Sequence, residues 1–332
     1  MRKIFFVFIT VFFIFLLFRL VNVREAIDLV FTANISFIVL ATIIGIFQTY
    51  LAAFRMKILV SIIAKVNISY FFWMGYLTSL ISTALPIFVG GFSFAYFISK
   101  KIKSSYPKAF SIAFVDFSFG VLITLVLAII SILYFGSKRL LKISDAGFGK
   151  IFMIILFILA ISIVVFLVSY KKKNFGNLSS KIKRGVALFT RSKEILIKAT
   201  LLTLPITFLH FISLYLFFLA YGVNPDLVDF ILATSLLTFL NLIPGAIAKI
   251  GQYETFGLLT LPYLLNLDKN TVFAALITSH AVSIITIFIL GSFSLYHLKV
   301  HSEVIKNVSK TVYLKGRLMT YWRNSGKSSQ RG

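Results

Sequence analysis

Long apolar runs organise this chain. Eight of them recur, at about 4–20, 35–54, 70–99, 109–135, 151–169, 199–221, 227–265 and 271–297. Most approach the ~20 residues that a helix needs to cross hydrocarbon. Two are interrupted. The third contains ALPIFVGG (84–91), which leaves two pieces each too short to cross alone. The seventh breaks at Pro244-Gly245 and carries NLIPGAIAKIGQYE (241–254), which sets a lysine and a glutamate inside apolar sequence. Such interrupted segments suit re-entrant hairpins that enter and leave on one side. The expected architecture is all-α: a transmembrane helical bundle of six full spans plus two re-entrant hairpins, about 70–99 and 227–265. The breaks are assigned to Pro86, Gly90, Gly91, Pro244, Gly245 and Gly251.

Composition agrees. Of 332 residues, 59% are hydrophobic and 13% charged, and the mean hydropathy is +0.97, too little charge to coat a soluble domain of this length. The opening MRKIFFVFITVFFIFLLFRL has the basic start of a signal peptide, but its apolar run is long and no small-x-small cleavage site follows. It is read as a retained first span. No cysteine is present, which removes disulfides, thiolate nucleophiles and Cys-based metal sites.

The net charge of +24 lies in the connections between spans, so it is read as orientation and lipid-surface charge; no nucleic acid partner is expected. With both broken segments re-entrant and the N-terminus cytoplasmic, 26 of the 34 Lys and Arg fall on the cytoplasmic side. The chain then sits in the cytoplasmic (plasma) membrane with both termini cytoplasmic. Residues 170–198 form a basic cytoplasmic segment and 299–332 a basic, partly disordered tail, both suited to anionic headgroups.

That topology makes the chain one transmembrane domain, 1–298, of two inverted halves, about 1–135 and 151–298. STALPIFVGG echoes FLNLIPGAIAKIG, and KAFSIAFVDFSFGVLITLVL echoes NTVFAALITSHAVSIITIFIL. Inverted repeats with paired breaks mark transporters that hold substrate near the midplane at the repeat interface.

Unwound backbone at membrane depth must be buried or line a wet cavity. Pro244 would end the first arm, Gly245 and Gly251 would permit a turn, and the second arm's N-terminus would offer N–H groups to an anion. Lys249 suits a phosphate. Glu254 suits pairing with Lys249, binding an amine, or carrying a proton. Intramembrane ionisable groups are functional candidates, so Asp116 and its symmetry counterpart His280 join the binding set. Arg55, closing the second span, is placed at cytoplasmic phosphates or at the cavity mouth. His210 is read as a packed or interfacial histidine.

These features resemble the lysylphosphatidylglycerol synthase transmembrane-region family, also called flippase-like membrane proteins, over about 4–297. The resemblance rests on Phe54-Arg55-Met56, on ALP followed by glycines, and on IPGAIAKIGQYE, where Pro244, Gly245, Gly251 and Glu254 match a Gly-x-x-Glu motif. It implies a lipid-handling membrane domain that works beside enzymes modifying lipids. The acidic residue usual after the first motif is missing, and Asp116 and His280 stand where arginines are expected. The resemblance implies no aminoacyl-lipid synthesis, since no aminoacylating domain accompanies these spans.

No Walker loop, H-E-x-x-H or dinucleotide fingerprint is present. The chain is therefore expected to be no enzyme and to use no cofactor or metal. The expected function is translocation of a phospholipid or lipid-linked intermediate between leaflets through a midplane cavity. Two alternatives stay open: a non-transporting partner of a lipid-modifying or glycosyl transferase, and an ion-coupled transporter of a small anion.

Overall fold

The computed structural model describes residues 2–84, 87–136, 192–243 and 246–299. Ten helices make up the described architecture: α1 (Arg2–Leu20), α2 (Val23–Val30), α3 (Ile35–Val60), α4 (Ile68–Ala84), α5 (Ile87–Lys101), α6 (Tyr106–Phe135), α7 (Lys193–Leu219), α8 (Leu227–Leu240), α9 (Gln252–Leu265) and α10 (Lys269–His297). A short 3-10 turn, Ile247–Lys249, stands between α8 and α9. The expected span at 151–169, most of the basic segment 170–198 and the tail from residue 300 lie outside the described residues.

Four helices, α3, α6, α7 and α10, are long and apolar enough to cross a membrane. The opening segment forms α1, which bends by 92° into α2. That amphipathic helix was not expected. Asn22 caps it by accepting from the Glu25 N–H, Arg24 and Glu25 stay exposed, and Ala26 is buried. The boundary acids serve as N-caps: Asp226 accepts from Val228 and Asp229 N–H, and Asp268 from Thr271 N–H. Gly90 and Gly91 correct the assignment of breaks. Both lie within α5, which begins at Ile87. A glycine weakens a helix by only about 1 kcal/mol, and tertiary packing overrides that.

Packing follows a reciprocal scheme. Helices α3 and α7 lie against each other, with the Ser213 hydroxyl donating to the Ala41 carbonyl at 2.9 Å. Helix α4 packs on α10 as α8 packs on α6, and α5 packs on α6 as α9 packs on α10. The two short arms within each pair, α4 with α5 and α8 with α9, also pack together. Two large apolar clusters result, with a small third one of Ala41, Leu216 and Phe217 between α3 and α7. One joins Met56, Leu59, Met74, Leu77, Ile98 and Ile112; the other joins Phe135, Phe218, Phe230, Leu237, Leu261 and Leu276.

The outward faces are apolar too. Val39, Ile43, Phe47 and Phe54 line one side of α3, and Ile285, Phe288, Ile289 and Phe293 one side of α10, all exposed. Water would not tolerate such surfaces, whereas lipid requires them. Between spans in lipid, packing of small residues replaces the hydrophobic drive. At Gly291 a Cβ would sit 2.8 Å from Leu80 Cβ and 3.2 Å from the Tyr76 carbonyl. Gly291→Val is therefore expected to push α10 off α4 and destabilise the chain by about 1–3 kcal/mol. A fall in the thermal unfolding midpoint in detergent measures it; an unchanged midpoint would contradict the close approach.

Candidate functional site

The break between α8 and α9 builds its own support. Pro244 and Gly245 lie outside the described residues, but the flanking groups are clear. Gln252 is fully buried; its carboxamide oxygen accepts from the Ala246 N–H at 2.8 Å and its NH₂ donates to the Ile243 carbonyl at 2.8 Å. One side chain thus joins the two sides of the break and replaces ladder bonds that the helices cannot supply. Ala248 and Lys249 both have left-handed backbone, φ 50° and 60°. That conformation costs about 1–2 kcal/mol per non-glycine residue, so the surrounding bonds must hold it. Gly251 has φ 79°, and a Cβ there would meet the α1 backbone at 3.1 Å from the Ile14 nitrogen. Left-handed backbone and close approach both demand glycine at that position.

The break's charged groups do not pair as expected. Lys249 turns away from Glu254; its Nζ donates to the Asn241 carbonyl at 2.9 Å, at the negative end of α8. Glu254 is 3% exposed. Its Oε2 accepts from the Gly251 N–H at 2.9 Å, and its Oε1 lies 2.6 Å from His280 Nδ1. The Gly251 amide, expected to await an anion, is therefore occupied by the chain's own carboxylate. His280 Nε2 lies 3.1 Å from the Ala248 carbonyl. Glu254 and His280 thus clamp α9, the turn and α10 together.

A cavity of about 470 Å³ opens beside this clamp. Its walls come from α3, α4, α7, α9 and α10 together with the turn. Lys249, His280 and His210 line it, with Gln48, Ser79 and Ser213 among the neutral polar groups, and no carboxylate among the described residues lines it. Lys249 offers three N–H donors and spends one on Asn241. Ser283 at the rim is exposed, so the cavity reaches the outside of the bundle.

Arg55 and Asp116 lie elsewhere. Arg55 is buried at 7% exposure rather than snorkelling to headgroups, because its Nε donates to Asp116 at 2.8 Å and its Nη1 to the Thr203 hydroxyl at 3.0 Å. Neither residue lines the cavity. Together they tie α3, α6 and α7. Of the expected binding set, Lys249 and His280 face the cavity, Glu254 stands behind His280, and Arg55 with Asp116 form a separate lock. His210, read as packed, is a wall residue. Gln48 was overlooked, although an amide inside the apolar run IIGIFQTYL was the available signal.

Residues 3–291 match the family described as the lysylphosphatidylglycerol synthase TM region. The chain belongs to that family. It is therefore an integral membrane protein of a lipid-related family, as the resemblance implied. No curated protein matches it.

In this family member the buried lock makes a sharp expectation. Removing one partner of a buried ion pair strands the other, at about 3–5 kcal/mol, whereas replacing both with apolar groups is often neutral. Arg55→Met and Asp116→Leu should each lower the unfolding midpoint strongly, and the double variant should recover most of the loss. Additive losses would mean that the two residues act independently.

Proposed function

We propose that the protein moves a phospholipid or lipid-linked intermediate with an anionic headgroup between leaflets, the headgroup passing through the cavity beside Lys249. The cavity carries this reading. It is cut into apolar spans, yet among the described residues its walls hold Lys249 and two histidines and no carboxylate. Its volume falls within the roughly 300–1,000 Å³ of small-molecule sites. A cationic wall favours phosphate and offers no counter-charge to an amine.

The reciprocal packing supports an inverted repeat, in which α3, α4, α5 and α6 correspond to α7, α8, α9 and α10. In such repeats substrate sits where the halves meet, and here α3 and α4 face α7, α9 and α10 across the cavity. The paired short arms α4–α5 and α8–α9 suit re-entrant hairpins. With the positive charge sorted as above, both termini face the cytoplasm and the chain sits in the plasma membrane. We read it as a carrier without enzymatic activity, serving an enzyme that makes or uses the lipid.

Proteoliposomes with fluorescent anionic, zwitterionic or cationic lipids test the reading. Leaflet exchange should be fastest for the anionic lipid and should drop about ten-fold or more in Lys249→Ala, the loss of one charge-assisted contact. No exchange with any headgroup, from protein shown to be folded, would overturn translocation and leave the partner-protein alternative. Fastest exchange of the cationic lipid would overturn the headgroup assignment.

A further inference from the structure

The Glu254–His280 contact fixes a proton count. The Ala248 carbonyl can only accept, so His280 Nε2, 3.1 Å away, must carry a hydrogen. On the ring's other side, Nδ1 is 2.6 Å from Glu254 Oε1. That contact needs a hydrogen between the two atoms, since otherwise a carboxylate oxygen would face a nitrogen lone pair. The hydrogen sits either on the carboxyl, beside neutral imidazole, or on Nδ1, beside carboxylate. The pair's net charge is zero in both forms. Loss of that one proton leaves the pair at −1, with a single ring hydrogen for two acceptors, so His280 can no longer donate to both Glu254 and the Ala248 carbonyl.

Resting on the reading of the cavity as an anionic headgroup site, we propose that Glu254 and His280 form a proton-binding site whose proton is taken up together with the anion. His280 lines the cavity beside Lys249, while the Glu254 side chain stands behind it at 4% exposure. The ionisable groups facing the pair and its cavity are Lys249 from the turn, Tyr253 from α9, His210 from α7 and Tyr76 from α4. Helix α1 brings the backbone of Phe13 and Ile14 to Gly251. Among the described lining residues Lys249 is the one lysine or arginine. With the pair protonated, that positive charge stands unopposed and an anion is attracted. With the pair deprotonated, a carboxylate charge offsets it. Anion and proton therefore favour each other, and the coupling is reciprocal.

The same proton has a mechanical lever. His280 holds the carbonyl of Ala248, whose left-handed backbone immediately precedes Lys249. When the proton leaves, the charged carboxylate of Glu254 takes the one remaining ring hydrogen, which releases that carbonyl and lets the turn relax, carrying Lys249 with it. Proton binding thus sets both the charge and the shape of one cavity wall, which would make proton movement a source of drive for the translocation.

Calorimetry on the full purified chain tests this with two probes, glycerophosphoglycerol and short-chain dioctanoyl phosphatidylglycerol. Each bears one phosphodiester charge that does not titrate in the working range. Binding should weaken as the pH rises, by about ten-fold once the pair has lost its proton. Comparison of buffers with different ionisation enthalpies should show uptake approaching about one proton per anion. Glu254→Gln keeps an acceptor for the Gly251 N–H and places an NH₂ against Nδ1, so it imitates the loaded pair. That variant should bind with no proton uptake and no pH dependence. Uptake with the lipid alone assigns the coupled anion to the membrane, and uptake with both probes assigns it to the phosphodiester itself; either upholds the site. Binding by the wild type without proton uptake, uptake that persists in Glu254→Gln, or no binding of either probe to folded protein would each overturn it. Leaflet exchange without proton uptake would remove this inference and leave translocation standing; proton-linked binding without exchange would do the reverse.

Discussion

A peptide group without a hydrogen-bond partner costs several kcal/mol in hydrocarbon, and the break between α8 and α9 is arranged around that constraint. Gln252 bonds backbone on both sides of the break, Glu254 takes the Gly251 amide, and His280 takes the Ala248 carbonyl. Lys249 takes the Asn241 carbonyl at the end of α8. These side chains are polar because the backbone there has no helix to complete it. Their spare capacity, chiefly the remaining donors of Lys249, is what a ligand would meet.

Two polar systems therefore divide the labour. The Arg55–Asp116–Thr203 lock is largely buried and does not line the cavity, and its geometry ties three spans. The Lys249 and His280 system borders open space and holds strained backbone. Asp116 on α6 and His280 on α10 occupy echoing stretches, and each engages an ionisable partner on another helix: Arg55 in one case and Glu254 in the other. Asp116 thus belongs to a strut between helices, and His280 to a cavity wall.

On the proposed reading, the described cavity lining suits an anionic headgroup better than a lysyl-bearing one. An amine needs a carboxylate or a cluster of carbonyls. The nearest carboxylate, Glu254, is enclosed by Gly251 and His280 and does not reach the lining.

Much of the architecture was legible along the chain, because spanning helices must be apolar over a length set by hydrocarbon thickness. The segments 35–54, 109–135, 199–221 and 271–297 fall within α3, α6, α7 and α10, give or take a few end residues, and both interrupted runs contain paired short helices. The stretch around Lys249 and Glu254 stood out because charge and glycine are rare in such runs. Partners were not legible. Whether Glu254 meets Lys249 or His280, and whether Arg55 reaches water or Asp116, depends on residues 26 and 61 positions apart that only helix packing brings together. Gly90 and Gly91 show the limit from the other side, since local propensity marked a break and packing kept a helix. Sequence alone determined where this chain leaves the helix in lipid; tertiary structure decided which of its polar groups support the backbone and which face the cavity.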